Sequence, residues 1–231
     1  MVKLFKHLQN LFFDNTCPSC KKNILIKNEY ICLQCIYSLP KTNNYLKPNN
    51  SAEVMMAGRF PFERIATYCI FSKEGTLQPL IHSLKYKNNK NIGLQLGRMF
   101  GKDIHNSSFV ETVDFIVPVP LHKKKLKSRG YNQSEIIAEG ISSAISKSLS
   151  NDNLIREIHN PSQTKLSKSQ RWDNVEGIFK LTNPDQYNNK HILLVDDIIT
   201  TGSTIEACAK ALLEAKNIKI SVATIGEAIY L

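Results

Sequence analysis

Two adjacent carboxylates, followed after two isoleucines by a loop rich in hydroxyl side chains, stand in the segment HILLVDDIITTGST, residues 191–204. Asp196 and Asp197 can bind a ribose diol or a hydrated divalent cation, because carboxylate oxygens suit both. Backbone N–H groups of the loop that follows can bind a phosphate at the start of a helix, where the helix dipole favours an anion. The pattern predicts a site for a phosphorylated sugar; the alternative is an acidic strand end followed by an ordinary hydroxyl helix cap. The loop residues are Thr200, Thr201, Gly202, Ser203 and Thr204.

A strand and a helix must hold these groups in place. Ile192–Val195 is a continuous apolar run, typical of a strand that is buried on both faces of a parallel sheet. A helix is predicted over 204–216 from its apolar spacing. Further strands are predicted over 65–71, 114–119 and 219–225, and further helices over 77–84, 92–100 and 134–149. This alternation indicates an α/β domain with a mostly parallel sheet, whose ligands bind beyond the carboxyl ends of the strands.

Four cysteines form two C-x-x-C pairs that are eleven residues apart: Cys17, Cys20, Cys32 and Cys35. Four thiolates at this spacing can close a tetrahedron around a structural zinc ion. The metal would supply folding energy that so small a segment cannot obtain from its own core. Apolar residues at 24–26 and 30 predict a small hairpin over the metal, and disulfide bonds are the alternative to metal binding.

A basic segment follows the strand predicted over 114–119, with the cations Lys123, Lys124, Lys125, Lys127 and Arg129. Arginine can bind a pyrophosphate group through two hydrogen bonds, and lysines can act as point charges. We therefore predict a basic loop that binds pyrophosphate or nucleic acid, and a solvated surface run is the alternative for the lysines.

A second polar segment, residues 160–179, contains Arg171 and the only tryptophan, Trp172. It is predicted to be a loop that closes over the pyrophosphate, with a plain surface hairpin as the alternative. Two aromatic residues near basic ones, Tyr131 and Trp172, could stack on nucleic-acid bases. Trp172 could instead fill the core.

The composition is that of a globular protein of 231 residues with a net charge of +10. This charge favours association with polyanions such as nucleic acid. The sequence contains no transmembrane run, and its first residues lack the apolar core and cleavage site of a signal peptide. We therefore expect a cytoplasmic protein, or one at the inner face of the membrane, whose cysteines are reduced or bound to metal.

Together, these motifs resemble the ComF/GntX (ComFC) family of bacterial competence proteins. The resemblance covers the paired C-x-x-C motifs, PVPLH with RGYNQ, the Gln163-Thr164 to Arg171…Asn174 segment and VDDIITTGST. It implies a four-cysteine zinc ribbon followed by a type I phosphoribosyltransferase-like domain, which is a mostly parallel sheet flanked by helices. The implied boundaries are a ribbon with an N-terminal helix at 1–42, a linker at 43–63 and the phosphoribosyltransferase-like domain at 64–231.

The resemblance also implies a ligand, 5-phosphoribosyl-1-pyrophosphate (PRPP), bound with magnesium. By analogy, Asp196 and Asp197 would face the ribose hydroxyls, and residues 200–204 would hold the 5′-phosphate. Arg129 and the turn after Pro120 would lie near the pyrophosphate.

Family members are associated with natural transformation and the use of imported DNA. We therefore expect a protein that handles incoming single-stranded DNA and has a PRPP-type site. The nucleic-acid candidates are Lys123, Lys124, Lys125, Lys127, Arg171 and Trp172. The alternative is an active magnesium-dependent phosphoribosyltransferase that acts on an unidentified base or nucleoside. A DNA translocase or another competence protein is an expected partner, bound through the ribbon.

Overall fold

A five-stranded parallel sheet forms the centre of the computed structural model, which describes residues 16–26, 28–157 and 178–228. The strand order is β1-β7-β6-β2-β3. The strands are β1 (Arg64–Phe71), β2 (Phe115–Pro118), β3 (Ser148–Leu149), β6 (His191–Ile199) and β7 (Lys219–Ala228). Two further strands, β4 (Leu154–Arg156) and β5 (Phe179–Leu181), form a separate antiparallel pair.

Helices cover both faces of the sheet. They are α1 (Leu33–Tyr37), α2 (Ser51–Met56), α3 (Leu77–Tyr86), α4 (Lys90–Ile104), α5 (Lys123–Arg129), α6 (Gln133–Ile145) and α7 (Ser203–Leu212), with 3₁₀ turns at Asn44–Leu46 and Pro184–Tyr187. Alternate residues of β6 face the two layers: Leu193 and Val195 pack with α3, α4 and α6, whereas Ile192 and Leu194 pack with α2 and α7. All four are fully buried, which confirms the strand predicted from the continuous apolar run.

Two predicted helices end earlier in the structure. Helix α6 stops at Ile145 because Ser146 adopts a left-handed conformation, with φ of 56°. The next residues, Ser148 and Leu149, pair with β2 as the edge strand β3 rather than continuing the helix to 149. The helix predicted over 204–216 is α7, which ends at Leu212.

The cysteine module and the segment after it both pack on the sheet domain. Ile31 and Leu39 lie in the same core cluster as α3 and α4, and the Ser19 hydroxyl donates to the Thr76 carbonyl at 2.9 Å. Residues 43–63, expected to be a linker, contain helix α2, whose Met56 is fully buried. Within the part of the chain that the structure describes, every helix is too short or too polar to cross a membrane.

Candidate ligand site and metal centre

The two adjacent acids lie near the carboxyl end of β6 and are buried, with Asp196 8% and Asp197 4% exposed. Asp196 Oδ1 accepts hydrogen bonds from the Ser134 hydroxyl at 2.7 Å and from its neighbour's backbone N–H at 2.8 Å. Asp197 Oδ2 lies 2.9 Å from the Lys85 ammonium nitrogen. Lys85 thus pairs with one acid, and the other is held by neutral donors.

This arrangement leaves excess negative charge in a buried place. Burial, together with the charge of Asp197, raises the pKa of Asp196 to about 7. A buried carboxylate is stabilised by a cation or by hydroxyl donors. The pair is therefore suited to a hard, oxygen-seeking cation or to the hydroxyls of a sugar.

A cleft of about 370 Å³ opens beside the acids, and we call it the acidic cleft. Its lining includes two cations, Lys85 and Arg156, and also Pro120 and Leu121 from the turn after β2. The family resemblance predicted that this turn lies near a pyrophosphate. The acidic cleft therefore contains two kinds of group. Its carboxylates can bind a cation or sugar hydroxyls, and its basic side chains can bind an anion.

The hydroxyl loop closes one end of the acidic cleft through Thr200 and Thr204, both exposed. Gly202 is the N-cap residue of α7 and has φ of +78°; among the described residues, no side chain caps this helix. The hydroxyls of Thr201 and Ser203 instead lie 3.0 Å from each other. The alternative of an ordinary hydroxyl cap is thus not what the structure contains, and the start of α7 fits an anion.

The glycine in this loop is required by its neighbours as well as by its φ. A Cβ at Gly202 would lie 2.2 Å from Met56 Sδ on α2. The Arg59 guanidinium, just after α2, donates to the Thr201 carbonyl at 2.6 Å and lies 3.7 Å from Glu206. Met56 of α2 and Arg59 after it therefore contact the loop and help to hold its shape.

The basic run predicted to be a loop is helix α5 in the structure. Lysine, leucine and arginine are good helix formers, and the His122 side chain accepts from Lys124 N–H at 3.1 Å to cap the start. Gly130, with φ of +81°, ends the helix. Asn132 then caps α6 and donates to the Val119 carbonyl at 2.9 Å, which brings Ser134 against Asp196.

A second, basic cleft of about 510 Å³ lies next to the acidic one. Its lining residues are Lys85, Tyr86, Asn88, Lys125, Ser128 and Arg129. The Arg129 side chain donates to Gln133, which lines the acidic cleft, and its Cζ lies 5.7 Å from the centre of the Tyr86 ring. Arg129, expected beside the pyrophosphate, therefore lies on the neighbouring cleft.

Other predicted nucleic-acid contacts have different fates. Lys123, Lys124 and Lys127 are exposed on α5, outside the lining of both clefts. Tyr131 is only 6% exposed and donates its hydroxyl to the Leu84 carbonyl, so it is not available to stack on a base. Arg171 and Trp172, with the segment predicted to close over the pyrophosphate, lie outside the described residues.

Sequence reasoning missed Lys85, Arg156, Arg59 and Ser134, the hydrogen-bond partner of Asp196. Lys85 follows the helix predicted over 77–84 directly, so its position at a helix end was visible. Its ion pair with Asp197 joins residues distant in sequence and had no local signal. Arg156 lies on the short strand β4, where no apolar periodicity drew attention to it.

The four paired cysteines form a compact cluster in which all ligand atoms lie within 4.8 Å of one another. The Sγ atoms of Cys20 and Cys32 are 3.9 Å apart. Zinc–sulfur bonds of about 2.3 Å in a tetrahedron give a sulfur–sulfur distance of roughly 3.8 Å, so the residues fit a four-coordinate metal. All six cysteines are free thiols, which excludes the disulfide alternative in this structure.

Hydrogen-bond donors favour the thiolate form of Cys20 and Cys32, whereas burial raises the pKa of Cys35 to about 12. Asn23 Nδ2 donates to Cys32 Sγ at 3.2 Å, and backbone N–H groups of Asn23 and Lys22 hold the pKa of Cys20 at about 6. The predicted cover is only partial, because Leu25 is 7% exposed whereas Ile24 and Ile26 are 74% and 72% exposed. Alternate residues of this extended segment therefore point outward. Among the described residues, the expected hairpin is reduced to one antiparallel bridge between Thr16 and Ile24.

Comparison with known proteins agrees with this fold. The family model of the phosphoribosyl transferase domain matches residues 131–227. DNA utilization protein YhgH of Escherichia coli (strain K12) is 29% identical over 186 residues, which cover 79% of this chain and 78% of the relative. Competence protein F of Haemophilus influenzae is 26% identical over 222 residues, 87% of this chain and 92% of the relative.

A third relative matches a shorter part of the chain. Competence protein ComFC of Bacillus subtilis (strain 168) is 36% identical over 99 residues, 43% of this chain and 38% of that protein. The parallel sheet with helices on both faces agrees with the match to the phosphoribosyl transferase domain. The chain is thus a relative of DNA utilization and competence proteins over most of its length, with a match to the phosphoribosyl transferase domain at residues 131–227 and a cluster of four cysteines before it.

Proposed function

We propose that this protein handles incoming single-stranded DNA in natural transformation and binds PRPP, or a related phosphoribosyl ligand, in its acidic cleft. The names of relatives support the first part, since they are a DNA utilization protein and competence proteins. The matched phosphoribosyl transferase domain supports the second. The observation that carries the ligand assignment is the buried Asp196–Asp197 pair beside an uncapped helix start at Gly202.

Each part of the ligand has a matching group in the cleft. The two aspartates accept from the ribose hydroxyls or hold the water shell of a magnesium ion. Residues 200–204 donate N–H and hydroxyl groups to the 5′-phosphate. Lys85 and Arg156 also line this cleft and supply positive charge for the pyrophosphate, and magnesium, when bound, would offset part of its negative charge.

The cysteine cluster is proposed to hold a structural zinc ion. Its ligand set is four thiolates, which is typical of closed structural zinc sites. Exposed apolar residues lie beside it, with Tyr37 85% and Leu33 63% exposed. We assign this surface to docking on a DNA translocase or another competence protein, in the cytoplasm or at the inner face of the membrane.

The phosphoribosyl site is tested by calorimetric titration with magnesium–PRPP. Replacing Asp196→Asn together with Asp197→Asn removes two charged acceptors, each worth about 1.5–3 kcal/mol, so affinity should fall by roughly a hundredfold or more. The control is Asp152→Asn with Asp185→Asn, which removes the same charge at two exposed positions. Equal affinity of the two double variants, with unchanged circular dichroism, would overturn the site assignment.

The DNA part is tested by fluorescence anisotropy of a labelled single strand and of a matched duplex. We expect salt-sensitive binding with preference for the single strand, because basic residues bind phosphates and exposed aromatic rings stack on unpaired bases. No binding at low salt would overturn the DNA-handling proposal, whereas PRPP binding could still stand.

A catalytic phosphoribosyltransferase is the second candidate. Two cations that line the acidic cleft, Lys85 and Arg156, favour it because a departing pyrophosphate needs nearby positive charge. Release of pyrophosphate from PRPP on addition of a set of free bases and nucleosides would support turnover. Release at the same rate by the Asp196→Asn, Asp197→Asn variant would exclude this cleft as its source.

A further inference from the structure

Lys85 is shared by two clefts of opposite character. Its side chain, 25% exposed, lines both the acidic cleft and the basic cleft, and its ammonium nitrogen lies 2.9 Å from Asp197 Oδ2. An ammonium group has three donors, so one bond to Asp197 leaves donors for a ligand on the other side. Any group bound in one cleft therefore changes what Lys85 offers in the other.

The basic cleft has the composition of a single-strand binding surface. Lys125 and Arg129 supply positive charge from α5 and its end, and Lys85 supplies it from α3. Tyr86 is 69% exposed, with Arg129 Cζ 5.7 Å from its ring centre and the His82 ring 4.9 Å away. Phosphate-binding cations around an exposed aromatic ring are the two elements by which proteins hold unpaired nucleotides.

The cleft is also held in a fixed shape. The Tyr131 hydroxyl donates to the Leu84 carbonyl, one residue before Lys85, and thereby ties the end of α3 to the turn after Arg129. The Lys90 ammonium lies 4.9 Å from the centre of the Tyr131 ring. These contacts fix the end of α3 relative to the turn after α5, and the two helices carry the cations of the cleft.

We propose that the basic cleft binds a backbone phosphate of single-stranded DNA, with the adjoining base on Tyr86, and that Lys85 makes this binding antagonistic to the phosphoribosyl ligand. This inference rests on the proposed function, because it assumes that both ligands bind. It adds the location of the DNA and the coupling between the two sites.

The direction of the coupling follows from charge. In the present structure Lys85 pairs with Asp197 and lines both clefts, so its remaining donors are available to a ligand in the basic cleft. A magnesium–PRPP complex brings a cation to the acids and phosphates to the cations of the acidic cleft, so Lys85 turns toward the new anion. DNA then loses one of its cations and gains an anionic neighbour, and by linkage DNA weakens PRPP binding by the same factor.

The location is tested by anisotropy titrations of a labelled oligothymidylate with variants in matched pairs. Lys125→Ala is compared with Lys124→Ala, an exposed lysine of the same helix that lies outside the cleft lining. Tyr86→Leu is compared with Tyr37→Leu, an exposed tyrosine on the cysteine module. Tyr86→Leu should lower DNA affinity about fivefold or more, and Lys125→Ala should reduce the salt slope by about 0.7. Each of these effects should be larger than the effect of the matched control variant.

The coupling is tested by repeating the titration with saturating magnesium–PRPP and, as reference, with the same free magnesium alone. PRPP should weaken DNA binding about fivefold or more in the unaltered protein. This effect should persist in Lys125→Ala, shrink in Lys85→Met and disappear in the Asp196→Asn, Asp197→Asn variant. Lys85→Arg keeps the positive charge and is the control for charge at this position. Thermal melting of each variant is the control for folding.

The outcomes separate the inference from the function beneath it. If the unaltered protein binds neither ligand, the proposed function fails. If it binds both, but each cleft variant equals its control or PRPP leaves DNA affinity unchanged or raised, only this inference is overturned. If PRPP still weakens DNA binding in the double aspartate variant, the ligand competes directly in the basic cleft and the role of Lys85 is excluded.

Discussion

The Ser134 hydroxyl donates a 2.7 Å hydrogen bond to Asp196 Oδ1, although the two residues are 62 positions apart. Ser134 lies in the first turn of α6 and is fully buried. Asn132 fixes that turn by capping α6 and donating to the carbonyl of Val119, the residue after β2. The RGYNQ turn therefore sets the start of α6, and Ser134 at that start orients Asp196 in the ligand site.

This contact predicts that Ser134→Ala weakens binding of magnesium–PRPP. The hydroxyl favours the charged form of Asp196, so its loss raises the pKa of a carboxyl that burial has already raised. One lost hydrogen bond to a charged group costs about 1.5–3 kcal/mol, so affinity measured by calorimetry at pH 7 should fall roughly tenfold or more. The control is Ser143→Ala on the same helix, whose hydroxyl bonds only the Gly140 carbonyl. Equal affinity of the two variants would show that Asp196 needs no such donor.

A second prediction concerns Gly202→Ala. The new Cβ would meet Met56 Sδ at 2.2 Å, so the phosphate loop must shift away from α2 or distort. We expect lower thermal stability and a loss of PRPP affinity. The matched control is Gly58→Ala, because Gly58 has nearly the same φ, +77°, but nothing within 4 Å of the added atom. The left-handed backbone costs each variant about 1–2 kcal/mol, so any further loss at 202 measures the clash.

A double-mutant cycle completes that test. Met56→Ala removes the atom that the added methyl group would meet, so the combination with Gly202→Ala should recover PRPP affinity relative to Gly202→Ala alone. Additive losses would instead mean that the loop shape depends on backbone φ and not on α2.

Local patterns predicted the elements of this fold better than its contacts. The apolar run before Asp196 and the spacing of 204–216 indicated β6 and α7, because burial on both faces and helical periodicity leave direct traces in a sequence. The helix over 123–129 was missed because its lysines were interpreted as charges, although their helix propensity and Gly130 were both visible. β3 has two residues and is defined by pairing with β2, so no local pattern marks it.

The site shows the same division. Asp196, Asp197 and the loop at 200–204 are neighbours in sequence, and their types alone indicated the chemistry. The ion pair of Lys85 with Asp197 and the packing of Met56 behind Gly202 depend on how distant segments meet. Such contacts follow from the packed structure and not from spacing along the chain.

The metal centre gives a third prediction. Replacing Cys32→Ser and Cys35→Ser removes two of the four thiolates, so bound zinc, measured by mass spectrometry of the metal, should fall from about one per chain to none. Melting temperature should fall as well, because Cys32 and Cys35 also belong to the core cluster shared with α3. The control is Cys69→Ala, a buried cysteine outside the metal cluster, which should lose stability but keep its zinc. A chelator should lower the melting temperature of the control but not of the double variant.

The last prediction concerns pH and His191, which is 6% exposed at the start of β6. Its Nδ1 lies 2.8 Å from the Thr112 hydroxyl and its Nε2 lies 2.9 Å from the Ser221 hydroxyl. Burial lowers the pKa of this imidazole below its ordinary value of 6.5. Below pH 6.5 the unfolded chain therefore takes up a proton that the folded chain excludes. The free energy of unfolding then falls as pH decreases, by at most about 1.4 kcal/mol per pH unit.

Denaturant unfolding of the unaltered protein and of His191→Gln from pH 8 to 5 isolates this effect. Asp196, whose raised pKa acts in the opposite direction, is present in both proteins and cancels in the difference. The unaltered protein should lose stability relative to the variant only below about pH 6.5. A stability difference that stays constant with pH would mean that His191 takes up its proton as readily in the folded chain as in the unfolded chain.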